Sequence, residues 1–114
     1  RVSARALEAV ERILDGGGDS DDVLRAVVGA LAGASGLSWA GILFVEQGTL
    51  VPGPAAGTPD ERRRVRVPIT YRGDVVGELA VDGEPDTAVL EGVATRISEH
   101  VLLGWDTGGE AWEP

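Results

Sequence analysis

The chain contains no cysteine, methionine or lysine, and only one histidine, one tyrosine and one phenylalanine among 114 residues. Without cysteine there is no disulfide, no thiolate metal site, no thiol nucleophile and no cofactor attached through sulfur. Sulfur redox chemistry is excluded with it, since methionine is missing too. A metal site would have to be built almost wholly from carboxylates, yet Glu91, Glu99 and Asp106 do not share a metal-ligand spacing. A Ser/His/Asp relay would rest on His100 alone. These absences set the expectation of a chain with no cofactor, no metal and no catalytic residues, and so not an enzyme. Positive charge is scarce as well: ten basic residues, all arginine, face nineteen acidic ones, for a formal charge of −9. Like charge repels phosphate backbones and anionic lipid, so nucleic acid and membrane are poor partners. Long apolar runs are missing: the longest, near Trp39 to Val45, falls far short of a bilayer span, and nothing resembles a cleavable leader. A cytoplasmic location is the expectation.

What remains, 43% hydrophobic and 25% charged, suits one soluble domain around one core. From Ser3 to Asp15, Ala6, Leu7, Val10, Ile13 and Leu14 recur at helical spacing. Gly16, Gly17 and Gly18 end that helix; they lack the lysine and hydroxyl of a phosphate loop and lie between helices, so they read as a connector. Asp19 to Asp22 open a second helix with a capping side chain and acids suited to its N-terminus. Its inner stripe is Leu24, Val27, Val28 and Leu31, and the small residues Ala26, Gly29 and Gly33 lie opposite. Trp39 to Val45 reads as a central strand ending at the Gln47-Gly48 turn. Thr49 to Pro52 pairs with it as an edge strand, because Pro52 cannot donate to a ladder. Gly53 to Glu61 reads as a short loop.

The next two strands alternate. Val65, Val67, Ile69 and Tyr71 point one way and Arg64, Arg66, Pro68 and Thr70 the other. Val75, Gly77, Leu79 and Val81 likewise oppose Val76, Glu78, Ala80 and Asp82. A three-residue loop, Arg72 to Asp74, sets Tyr71 opposite Val75, Val67 opposite Leu79, Val65 opposite Val81 and Arg64 opposite Asp82. One face is then wholly apolar and the other carries opposite charges in register. A two-residue loop is rejected because it would set Glu78 opposite Ile69. Arg72-Gly73-Asp74 spells an adhesion tripeptide, which turn chemistry explains better. Asp86 or Thr87 caps a last helix, with Leu90, Val93, Ala94, Ile97 and Val101 inward, ending near Gly104. His100 sits at the margin of that stripe and reads as a packing residue. The single domain is expected over 1–104, and a tail over 105–114 carries Trp105 and Trp112, which are expected to dock on this chain or a second copy.

In Val67-Pro68-Ile69, the polar turn at Arg72 to Asp74, and Val76-Gly77-Glu78-Leu79 before a capped helix, the chain resembles a GAF domain over roughly Asp19 to Leu103. The resemblance implies an α+β, GAF/PAS-like fold: a twisted antiparallel sheet of order 2-1-4-3 with the N- and C-terminal helices on one face. It further implies a sensory or regulatory small-molecule module, commonly dimeric through its terminal helices, with the ligand on the opposite sheet face. The lid of helix and strand that usually follows the second strand is nearly missing, since only Gly53 to Arg62 separates the strands. Attachment of a bilin, and the cysteine-based reduction of methionine sulfoxide that some members perform, are excluded here. The candidate ligand-binding residues are Arg64, Arg66, Thr70 and Glu78, with Arg72 nearby, which would orient an anionic or zwitterionic small molecule. A solvated face of cross-strand ion pairs explains the same residues. The function expected is thus a non-enzymatic sensory module, a homodimer through its terminal helices or tail; the alternative is a ligand-free dimerisation or protein-interaction domain. The central strand is apolar on both faces, so loop, tail, ligand or partner must cover the second.

Overall fold

A computed structural model describes residues 4–34 and 36–109, with side chains over 5–34 and 36–102. Its elements are α1 (Ala4–Gly16), α2 (Ser20–Ala32), β1 (Leu37–Glu46), β2 (Thr49–Gly57), a 3-10 turn (Glu61–Arg63), β3 (Arg64–Tyr71), β4 (Asp74–Gly83) and α3 (Thr87–Gly109). The four strands form one antiparallel sheet of order β2-β1-β4-β3, as the sequence pattern predicts. α2 lies against β1 and β2, α3 against β3 and β4, and α1 rests on α2 and α3. All three helices are therefore on one side of the sheet.

The predicted stripes make the core. Leu24, Val27, Val28 and Leu31 of α2 and Leu90, Val93, Ile97 and Val101 of α3 are buried against Ala40, Ile42, Val67, Ile69, Leu79 and Val81 of the sheet. Full burial of each larger aliphatic side chain contributes roughly 1.5–3 kcal/mol. Ala6 and Val10 of α1 join from above, and Glu11 holds Arg96 of α3 at 2.8 Å. Gly17 and Gly18, at φ 71° and 112°, end α1 as expected. Asp19 stands at the N-cap of α2 with extended backbone, but its side chain makes no capping hydrogen bond. Asp86 does cap: its Oδ1 accepts from Ala88 N–H at 3.0 Å.

Three expectations are corrected. The β3–β4 connection is a two-residue turn, Arg72-Gly73, with Tyr71 opposite Asp74 and Thr70 opposite Val75. A bulge at Val76 then restores the predicted register, with Val67 opposite Leu79, Val65 opposite Val81 and Arg64 opposite Asp82. The bulge absorbs the phase change that led the shorter loop to be rejected. It also exchanges two valines: Val75 is 52% exposed, while Val76 packs on the core. Second, the segment read as a loop after Pro52 is strand as far as Gly57, bulged between Gly41 and Leu43 of its partner. Pro52 and Pro54 are tolerated because β2 is an edge. Third, α3 passes Gly104 and reaches Gly109. An interior glycine costs a helix only about 1 kcal/mol and does not by itself stop it. The docking expected of Trp105 and Trp112 lies outside the described side chains.

Candidate functional site

The sheet face away from the helices is organised in rows across the strands. One row reads Gly57, Trp39, Asp82, Arg64; the next Ala55, Gly41, Ala80, Arg66; the third Pro52, Leu43, Glu78, Pro68. The middle row is small from β2 to β4, so a concavity of about 240 Å³ opens above it. Its lining includes Gly41 and Ala80, with Trp39, Leu43, Pro52, Ala55, Arg64 and Arg66 around them. Gly41 is required here by space: a Cβ would meet the Trp39 ring at 2.5 Å, so the indole leans along the strand where a side chain would otherwise stand.

The first row holds the wall in place. Asp82 is fully buried. Arg64 grips it with two hydrogen bonds, Nε to Oδ1 at 2.7 Å and Nη2 to Oδ2 at 2.9 Å, and Asp60 N–H donates to Oδ2 at 2.6 Å. The Arg64 hydrogen bonds hold the Asp82 carboxyl below its ordinary range, against the upward push of burial and with help from the Asp60 amide. The same bonds raise Arg64. Its guanidinium lies 4.2 Å above the Trp39 ring, a cation–π contact fixed by the carboxylate beneath it. Asp60 ties the short β2–β3 connection, Thr58–Arg63, to the same group.

The four residues predicted for ligand binding share this face, but only Arg64 and Arg66 line the concavity. Glu78 stands one row along, 3.5 Å from Arg66 Nη1. That contact is an ion pair without a hydrogen bond, for Glu78 Oε1 is buried and has no hydrogen-bond partner among the described residues. Thr70 lies farther along β3, exposed opposite Val75. Arg72 rests on its neighbour Tyr71 at 5.3 Å. Sequence reasoning put Asp82 on the right face without giving it a part in the site, and missed Trp39, Gly41 and Ala80 as parts of it. The available signal was the coincidence of small residues at 41, 55 and 80, which means nothing until three strands are in register. Among the described residues no cluster of His, Asp or Glu suits a metal ion. His100 lies on α3, across the sheet from the concavity, with Nδ1 buried and unpartnered among those residues.

No family model matches the sequence, and a search of curated proteins found no significant match. Solved structures do match. The GAF domain of a phosphoenolpyruvate-protein phosphotransferase from Coxiella burnetii is 12% identical, with a TM-score of 0.75 over 93% of this chain and 96% of that one. The GAF domain of an Acinetobacter phosphoenolpyruvate-protein phosphotransferase is 16% identical, TM-score 0.70, over 95% and 99%. A free methionine-R-sulfoxide reductase from Neisseria meningitidis, solved with its substrate, is 17% identical, TM-score 0.69, over 89% and 92%. That last likeness overturns the expectation that the chain is not an enzyme. The same architecture carries catalysts, and a sparse inventory of functional groups excludes thiol chemistry by this chain, not catalysis in general. At these identities the likeness is one of fold. The chain has the fold of a GAF domain.

Proposed function

We propose that this domain is a sensory or regulatory module that binds a small molecule in the concavity over Gly41 and Ala80. The observation that carries this reading is a preformed apolar hollow with one wall, Trp39 and Arg64, locked by the buried Asp82. Ligand sites are apolar hollows with a few placed polar groups. A route from site to helices is built in. The reverse side of β1 presents Ala40 and Ile42 to the core, and a Cβ on Gly77 of β4 would press on Val101 of α3. A ligand that favours one setting of these contacts shifts the helices with it. The GAF-domain likeness supports the regulatory role.

Thermal shift and native mass spectrometry against amino acids, nucleotides and organic acids test this. A saturable rise in stability is expected, worth about 2.7 kcal/mol at a hundredfold excess over Kd. Ala55→Phe, at an exposed position on the rim, should abolish it by filling the hollow. Saturation that survives Ala55→Phe, or its absence across the panel, would refute the reading. A second reading, a protein-interaction surface, is favoured by Val45, Leu50 and Val75. The first is half-buried, Leu50 is 38% exposed and Val75 52%, and strand pairing sets all three on the outer face. Light scattering of Leu50→Ser/Val75→Ser tests it, since lost association would support that role.

A further inference from the structure

We infer that the concavity selects small monoanionic acids with an apolar body, a carboxylate on one ring or one branched chain. This rests on the small-molecule reading above and narrows it to a ligand class. Its first support is the sign of the lining: among the described residues the charged groups there are Arg64 and Arg66, both on β3, and apart from the Trp39 indole N–H the rest of the lining is apolar. Among the described residues no acidic side chain lines the hollow, and its one neutral side chain with a hydrogen-bonding group is Trp39, whose indole N–H can only donate and so also suits an anion. The ligand is therefore asked for one anionic end, toward β3, and for an apolar end toward Leu43, Pro52 and Pro54.

The second support is which donors are open. Arg64 spends Nε and Nη2 on Asp82, and its Nη1 is only 3.9 Å from Glu61. Arg66 is 54% exposed and held by a single contact of 3.5 Å. Its guanidinium fork is thus available for two parallel hydrogen bonds to a carboxylate. Asp82 occupies the Arg64 fork, while Glu78 faces Arg66 without a hydrogen bond, so the open donors are those of one guanidinium and match one carboxylate. Size is the third support. At about 240 Å³ the hollow exceeds the ~150 Å³ cavity that takes benzene and falls below the ~300 Å³ where drug-sized sites begin.

Calorimetry with matched pairs tests this: phenylacetate against phenylacetamide, and 4-methylpentanoate against its amide, on the whole chain at neutral pH. Each acid should bind about tenfold tighter than its amide, the fold-change of one charge-assisted hydrogen bond, and the margin should shrink as salt is raised. Arg66→Gln, at a largely exposed side chain, should leave the fold intact by circular dichroism and reduce each acid to the affinity of its amide. Ala55→Phe should remove both. Amides that bind as tightly as acids, or an acid preference that persists in Arg66→Gln, would overturn the inference. If neither pair binds while another compound saturates and is lost in Ala55→Phe, the acid class falls and the small-molecule reading stands. If nothing binds, both fall.

Discussion

At the scale of single residues, Asp82 does most to set the geometry of the outer face. Burying a carboxylate costs several kcal/mol, and the cost is met by the Arg64 fork and the Asp60 amide. Removing the charge leaves Arg64, 18% exposed at its side chain, without its anchor. Asp82→Asn should therefore destabilise the domain by about 2–4 kcal/mol at pH 7, read by urea denaturation. The dependence on pH follows from the direction of the shift. A carboxyl whose folded-state pKa is depressed stabilises the fold above its unfolded value, near 3.9, and loses that contribution as pH falls through the folded value. The gap between wild type and Asp82→Asn should hold from pH 7 to about 5 and close below about 4. A gap that stays constant to pH 2 would mean that Asp82 acts by shape alone. Gly41 matters through space. Gly41→Ala must move the Trp39 ring off its seat at a cost of about 1–3 kcal/mol, and the Trp39 indole resonance should shift even where the fold survives.

Among the elements, the two hairpins share a device. Gln47 and Gly48, and again Arg72 and Gly73, all have positive φ (52°, 81°, 53° and 88°), the backbone of a type I′ turn, whose twist suits antiparallel strands. Asparagine tolerates the first position better than glutamine or arginine. Arg72→Asn should raise stability by about 0.5–1 kcal/mol in thermal melts, and Gly73→Ala should lower it by a similar amount or more; an Arg72→Asn variant less stable than wild type would refute the turn assignment. These turns also explain which parts of the fold could be read in advance. Alternation in Val65 to Ile69 and Leu79 to Val81 set the register, because one slip would have turned an apolar face to water. The two-residue turn and the Val76 bulge cancel in that register, so alternation alone could not reveal them. β2 was cut short for a related reason: two prolines argue against a central strand, and only the unsatisfied edge of β1 calls the chain on to Gly57.

For the whole molecule, the site was half legible because its halves differ in range. Arg64 and Arg66 belong to one strand and declare their face by spacing, whereas the hollow is an absence of side chains on β1, β2 and β4 together. It appears only once β1 has paired with β4, across the intervening hairpin partner and β3. The same sheet must also avoid pairing with other sheets, and proline stands on both of its edges: Pro52 and Pro54 on β2, Pro68 on β3. Pro68 sits opposite Glu78 in a regular stretch of ladder, so the position of its missing N–H faces away from β4, toward the free edge. Proline there interrupts the row of donors that a second sheet would need. The net charge of −9 adds a weaker, salt-dependent barrier between copies. Pro68→Thr restores the outward donor and a β-favouring residue without touching the core, so the folded monomer should be no less stable. Association between copies should nonetheless rise with concentration and with salt, as followed by light scattering. If the variant associates no more than wild type even in high salt, where the charge barrier is screened, the proline is not what guards that edge and is there for the strand's own geometry.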